Sequence, residues 1–178
     1  GQLQRIASGW TAQRPQAVLE LGFGQGFNLA YLAEQHPRVQ FAGIDLTPAH
    51  LELATQRFER AGLKNVAVTC GNFQRLPYAD GSFDQAYAIE AFCYASDMHQ
   101  AFAEIARVLR PGGVLRISDA EGGFTNKPNV ENFSMLSNQA MQRIGRGFSP
   151  NGKTQGMIFM LKHLLRQTGL QDVISKSY

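Results

Sequence analysis

Val18-Leu19-Glu20-Leu21-Gly22-Phe23-Gly24-Gln25-Gly26-Phe27-Asn28 runs an apolar segment into three alternating glycines, and Leu29 to Glu34 behind it suits a helix. Glycines at the carboxyl end of a strand let the backbone pass close to a ligand with no Cβ in the way. Outward from that bend, short apolar runs alternate with segments of helical period. Strands are expected at Ala17 to Leu21, Val39 to Ile44, Val66 to Thr69, Gln85 to Ile89, Val114 to Ser118 and Asp172 to Lys176. Between them Leu51, Ala54, Phe58 and Ala61 mark one apolar helix face, and Phe102, Ile105 and Leu109 another. Thr47-Pro48 reads as a hydroxyl N-cap with proline at the first helical position. Arg110-Pro111-Gly112-Gly113 reads as the stop that turns the second helix into the next strand. The alternation defines an α/β chain with an open, mostly parallel sheet covered by helices on both faces. Ligands of such sheets sit at the carboxyl ends of the strands, beside the switch point, with the first strand as one wall.

The 178 residues carry 44% apolar and 17% charged side chains, an ordinary globular composition. A chain of this length buries roughly 70% of its unfolded surface, so a single domain over 1–178 needs no disulfide or metal staple. Cys70 and Cys93 are too few and too far apart for a secreted scaffold or a metal knuckle. No histidine has a ligand spacing, and no metal is expected. With no run near 18 apolar residues and no leader-like amino terminus, a reducing, cytoplasmic setting is expected. The net charge of +3 is unevenly placed: Glu121 to Leu170 holds six basic and two acidic residues. That stretch overlaps an irregular segment read as a cap or lid insertion at about 119–155, with a helix within Val130 to Ile144. Phe124, Phe133, Phe148, Met135, Met141, Met157 and Met160 suit either a greasy cover over a substrate or plain core. Arg143, Arg146 and Lys153 suit an anionic group on that substrate, weak peripheral contact with an anionic membrane, or a solvated helix face.

The glycine register separates two ligands. A dinucleotide fingerprint places its third glycine three residues after the second. This chain reads G-x-G-x-G instead, and a start from Gly24 puts Leu29 at the third position, which disfavours a nicotinamide oxidoreductase. Glu20, two positions before the first glycine, is ill suited to a phosphate and well suited to a ligand bearing sulfonium and ammonium charges. These residues resemble the first motif, E/D-x-G-x-G-x-G, of the class I S-adenosylmethionine-dependent methyltransferases. Asp45, 19 positions beyond Gly26, stands where that family has the acid that accepts both ribose hydroxyls. Leu76-Pro77-Tyr78-Ala79-Asp80-Gly81-Ser82-Phe83-Asp84 and Arg107-Val108-Leu109-Arg110-Pro111-Gly112-Gly113 are similar to two further signatures, found especially in the quinone-biosynthesis and sterol C-methyltransferase branch. The resemblance runs from about Ala17 to Val173. It implies the Rossmann-like class I methyltransferase fold, S-adenosylmethionine as cofactor and S-adenosylhomocysteine as product. The family's sheet ends in an antiparallel seventh strand for which this sequence has no counterpart before Ser177-Tyr178, and it starts without methionine; a fragment is expected.

The resemblance further implies that Glu20, Gly22, Phe23, Gly24, Gly26, Asp45, Leu46, Asn72 and Phe73 hold the cofactor, with Glu90 near its methionine end or the substrate. Asn72 stands where the family usually has an acid at the adenine. Tyr87 to Tyr94 is most similar to the region after strand four of sterol and prenyl C-methyltransferases. In those enzymes alkene attack on the methyl group leaves a carbocation that aromatic faces and a carboxylate stabilise. Glu90, Tyr94 and, more remotely, Trp10 are candidates for that role, against the plain alternative of core aromatics. For a hydroxyl or phenol nucleophile, His99 is the candidate general base, against a surface position at the start of the next helix. His36 is expected to be exposed, His50 to lie close to the ribose-binding acid, and Cys93 to be a small buried hydrophobe. The expected function is in-line methyl transfer to a small lipophilic molecule, with C-methylation of a prenyl, sterol or quinone-like acceptor favoured. O- or N-methylation of another small metabolite and a non-catalytic cofactor-binding domain are the alternatives. No basic stripe interleaves with aromatics, so nucleic acid is not an expected partner; a monomer or homodimer is.

Overall fold

The computed structural model describes residues 2–118, with the side chains of Gln2, Thr11 and Cys93 left outside that description. The expected cap, the strand at Asp172 to Lys176 and the reading of Cys93 therefore lie outside the described residues. Two short helices, α1 (Gln2–Ile6) and α2 (Trp10–Gln13), lead into β1 (Ala17–Leu21), α3 (Phe27–Gln35), β2 (Gln40–Asp45), α4 (Pro48–Arg60) and β3 (Val66–Cys70). β4 (Phe83–Ile89), a 3₁₀ turn at Phe92–Tyr94, α5 (Met98–Val108) and β5 (Leu109–Ser118) follow. The strands form one sheet in the order β3-β2-β1-β4-β5, and every described pair is parallel. Successive strands are added outward from β1 to β3 and then on the other side of β1 from β4 onward, and this switch point opens a crevice at the carboxyl ends of β1 and β4.

Burial on both faces explains why the central strands read as nearly continuous apolar runs. On one face Leu19, Leu21, Ala86 and Ala88 pack with Phe92, Phe102 and Ile105. On the other, Val18, Phe41 and Tyr87 pack with Leu29, Leu32, Ala54 and Phe58 from α3 and α4. Phe92 stacks between Phe73 and Phe102, with centroids 5.4 and 4.8 Å away. Each such pair contributes about 0.5–1.5 kcal/mol beyond its buried area.

The structure corrects several local expectations. The Thr47 side chain makes no capping hydrogen bond, because the His50 N–H that it would engage donates to the Thr47 carbonyl at 3.0 Å. Arg110 to Gly113 is a bulge inside β5 and not a helix stop: Phe83 pairs with Leu109 and Gln85 with Val114. A Cβ on Gly113 would lie 2.8 Å from the Arg110 carbonyl oxygen, so the bulge demands glycine there. The two late signatures grip one another. Arg107 donates to Glu104 and Asp80 at 2.8 Å and to the Tyr78 and Leu76 carbonyls at 2.8 and 3.0 Å. Arg110 reaches Asp84 Oδ1 at 2.7 Å, while Asp84 Oδ2 accepts the N–H groups of Gln16 and Ala17 at the start of β1.

Trp10 is not near the crevice. It is buried at the amino end of the sheet, where its indole N–H donates to Gln85 Oε1 at 2.7 Å, and its ring meets His36 and Phe41 at 5.0 and 5.9 Å. Arg116 donates to the same Gln85 oxygen and to the Ser8 carbonyl, and Gln85 Nε2 donates to Gln13. This latch docks α1 and α2, which periodicity did not predict. It also leaves His36 half-buried against the indole, where exposure was expected.

Candidate functional site

The end of β1, the end of β2 and the end of β4 converge on the glycine bend. Gly22, Gly24 and Gly26 all have positive φ, at 74°, 54° and 75°, a region that costs other residues roughly 1–2 kcal/mol. Their surroundings give them three different tasks. A Cβ on Gly22 would sit 2.5 Å from the Ala91 Cβ, and one on Gly26 would sit 2.7 Å from the Ala54 Cβ, so both are close-packing positions. A Cβ on Gly24 would meet nothing within 4 Å. Gly24 is therefore where backbone faces open space, the room that a close-lying ligand requires.

Asp45 closes β2 opposite that space. Its Oδ2 accepts the Gly24 N–H at 2.9 Å, and its Oδ1 accepts the Thr47 N–H at 2.9 Å and faces His50 Nδ1 at 3.0 Å. Burial pushes this carboxyl upward, but the Thr47 and Gly24 N–H groups and His50 outweigh it and hold the group below the usual carboxylate range. A carboxylate offers about four lone-pair positions; three are filled from within, and one on Oδ2 remains for a hydroxyl. Beside it Leu46 is 70% exposed, an apolar surface with no cover among the described residues. Asn72 begins the exposed turn after β3 with its Oδ1 accepting the Gln74 N–H at 2.9 Å, and Phe73, partly buried, has one face committed to Phe92.

Glu20, expected against the cationic groups of the cofactor, exposes no surface. It is fully buried on β1, with Asn28 Nδ2 donating to Oε1 at 3.0 Å. Burial lifts its carboxyl to about 8, a rise that Asn28 and Tyr87 moderate and Asp45 augments. Asn28 and Tyr87 were not foreseen as its partners; the eight-residue step from Glu20 to the first turn of α3 is the only sequence signal for Asn28. Phe23 is likewise buried, 3% exposed and packed beneath α3, so its backbone and not its ring faces the crevice.

Glu90 leaves β4 with φ 52°, one of two described non-glycine residues with positive φ. Its N–H donates to the Ser118 carbonyl at 2.8 Å, which fixes the chain as it turns into the crevice. Backbone strain of this kind persists where neighbouring structure over-determines it, commonly at ligand sites. Tyr94, on the 3₁₀ turn that follows, is 82% exposed. His99 is exposed on the first turn of α5, whose N-cap is Asp97, accepting the Gln100 N–H at 2.9 Å. Among the described residues no cluster of histidine, cysteine, aspartate or glutamate can hold a metal, and no helix is long and apolar enough to cross a membrane.

An open parallel sheet with an acid closing β2 across from a ligand-facing glycine defines a nucleoside-binding α/β domain. The methyltransferase domain family matches residues 19–117, more than half of the chain, and the chain belongs to that family. It is 39% identical over 100 residues to 24-methylenesterol C-methyltransferase 2 of Arabidopsis thaliana, covering 56% of this chain and 27% of that enzyme. It is 34% identical over 175 residues to the O-methyltransferase rstn1 of Aspergillus nomiae, covering 96% and 71%. Among solved structures, the YcgJ protein of Bacillus subtilis superposes with a TM-score of 0.65 at 27% identity, covering 77% of this chain and 57% of that one. The chain thus spans about a quarter of the plant enzyme's length. The cofactor of the family is S-adenosylmethionine, and the site suits it: open space over Gly24, an unfilled lone pair on Asp45, and an unfilled buried oxygen, Glu20 Oε2.

Proposed function

We propose that this chain is the catalytic domain of an S-adenosylmethionine-dependent methyltransferase that acts on a small, lipophilic molecule. The observation that carries the reading is the facing of Gly24, open on its Cβ side, and Asp45, with one carboxylate position free. In this reading Asp45 takes the ribose, while Leu46, Asn72 and Phe73 flank the adenine. The backbone of Gly22, Phe23 and Gly24 lines the methionine part, Gly26 supports the bend from beneath, and Glu90 reaches the methionine end or the acceptor. S-adenosylmethionine held there would supply an electrophilic methyl carbon whose leaving group, S-adenosylhomocysteine, is neutral. The residues of the chain align, desolvate and, for some acceptors, remove a proton. Alignment alone is worth roughly 7–11 kcal/mol of barrier.

For the accepting atom we favour carbon. Glu90 and Tyr94 are a carboxylate and an exposed aromatic four residues apart in the segment after β4, residue types suited to a carbocation left by alkene attack. The plant relative's C-methyltransferase name agrees with it. O-methylation is the second reading, favoured by the fungal relative, which aligns with 96% of the chain, and served by His99 as base on the first turn of α5. Incubation with donor labelled in the methyl group, and with prenyl, sterol, quinol and simple phenol acceptors in parallel, tests both. Label in a carbon–carbon bond of a prenyl or sterol product, surviving His99→Ala, supports the first. Label confined to phenol ethers and lost in His99→Ala supports the second, and no transfer to any acceptor counts against an enzyme.

A further inference from the structure

A closed polar cluster lies beneath the glycine bend. Glu20 on β1 and Tyr87 on β4 are register partners across the sheet, and both are fully buried. Asn28 from α3 donates to Glu20 Oε1 at 3.0 Å. Neither Glu20 Oε2 nor the Tyr87 hydroxyl makes a hydrogen bond of ordinary geometry, although the hydroxyl lies near enough to act on the carboxyl. From β2, Asp45 adds a second acid within electrostatic reach. The groups acting on Glu20 from β4, α3 and β2 are thus a hydroxyl, an amide and a like charge, with no cation among them. A buried ionised carboxylate in such company is costly, and a proton removes the cost.

We infer that Glu20 carries a proton in the free protein and surrenders it when the cationic methyl donor settles on the Gly22 to Gly24 bend, so that one charge replaces another beneath a closed surface. This rests on the reading of the bend as the donor's seat. The step balances: the Glu20 carboxyl O–H breaks, the proton passes to solvent buffer, and the carboxylate remains as counter-ion. Elevation of the Glu20 carboxyl to about 8 means that a proton is there to lose at neutral pH. S-adenosylmethionine bears one net positive charge and S-adenosylhomocysteine none, so the exchange favours donor over product.

Calorimetric titration of the full chain with S-adenosylmethionine at pH 7, in buffers of different ionisation enthalpy, counts the protons. We expect close to one released per donor bound, a smaller number with S-adenosylhomocysteine, and none in Glu20→Gln. His50, which lies against Asp45, is untouched in that variant, so release persisting there traces to another group and overturns the proposal. Buffer-independent heat in the native chain overturns it and leaves the donor site standing; no binding at all overturns both. Should Glu20→Gln not fold, difference infrared on the native chain decides. Loss of a protonated-carboxyl stretch on donor addition supports the exchange, and an unchanged carboxyl region rejects it. Tyr87→Phe removes the hydroxyl that moderates the rise of the Glu20 carboxyl and should move the release to higher pH.

Discussion

The N–H of Gly24 donates to Asp45 Oδ2 at 2.9 Å, which ties the glycine bend after β1 to the last residue of β2. Each of the two holds the other in place: the acid fixes the height of the bend, and the bend fixes which lone pair the acid has left. Asp45→Asn keeps the shape but loses the charge and one acceptor. Charge-assisted hydrogen bonds are worth about 1.5–3 kcal/mol, so affinity for S-adenosylhomocysteine should fall about 10- to 100-fold. Calorimetry measures this, with unchanged far-UV circular dichroism as the control; undiminished affinity would remove Asp45 from the site.

Gly24 and Gly26 should respond differently to alanine. At Gly24 only the left-handed backbone resists, so Gly24→Ala should cost about 1–2 kcal/mol of stability while nearly abolishing donor binding, because its Cβ projects into the ligand's space. Gly26→Ala places a Cβ 2.7 Å from Ala54 and 2.9 Å from Phe58 and should destabilise by at least as much as overpacking usually does, about 1–3 kcal/mol. Urea melts and a ligand-induced thermal shift read the two effects separately. Equal ligand responses in both variants would contradict the assignment of Gly24 to the ligand.

Strain at Glu90 predicts a trade between stability and activity. With φ at 52°, Glu90→Gly relieves about 1–2 kcal/mol of backbone strain against roughly 0.5–1 kcal/mol of added chain entropy. Methyl transfer should fall by more than the accompanying shift in melting temperature accounts for. A marked loss of stability would mean that the side chain has a structural task.

Arg107 should matter to folding and not to the donor. Its guanidinium satisfies two carbonyls and two carboxylates in a fixed fork, which lysine cannot reproduce. Arg107→Lys should lower stability by about 2–3 kcal/mol, seen as an earlier urea midpoint, with donor affinity of the folded protein unchanged.

The pH dependence of stability has two opposite parts. Asp45 and Asp84 sit below the usual carboxylate range, where backbone N–H bonds outweigh burial, and Glu104 does so through its Arg107 hydrogen bonds. Their contribution is full above the unfolded value of about 4 and is lost as pH falls through the lower folded values. Glu20 is raised from 4.5 to about 8, so the folded state holds the extra proton and stability declines as pH climbs between those values. Thermal melts of the native chain should weaken from pH 5 to 8, and Glu20→Gln should flatten that slope.

Much of the fold was legible because the central strands carry their own signature. Val18, Leu19 and Leu21 and the run Ala86 to Ile89 put apolar side chains on both faces, and the glycine register disfavoured a dinucleotide before any contact was known. The strand end before Asp45 followed from the apolar run Val39 to Ile44, and the choice of Asp45 from the family resemblance. What escaped were features set by distant partners. Trp10 resembles any other aromatic until Gln85 and Arg116 are brought to it from 75 and 106 residues away. Phe23 sits inside a ligand motif, yet its ring turns inward because α3 presents Leu29 to it. The bulge in β5 was hidden because Pro-Gly-Gly is also the ordinary punctuation of a turn, and only pairing with Phe83 and Gln85 distinguishes the two.

β4 holds Gln85 near its start and Glu90 just past its end, roughly 17 Å apart along an extended strand. The amino-terminal latch and the crevice thus occupy opposite poles of one rigid rod, and changes at sites so separated combine nearly additively. Divergence toward new acceptors can rework the loops beyond Glu90 while the Trp10 anchorage stays constant, and an engineer can reinforce that anchorage without retuning what the crevice selects.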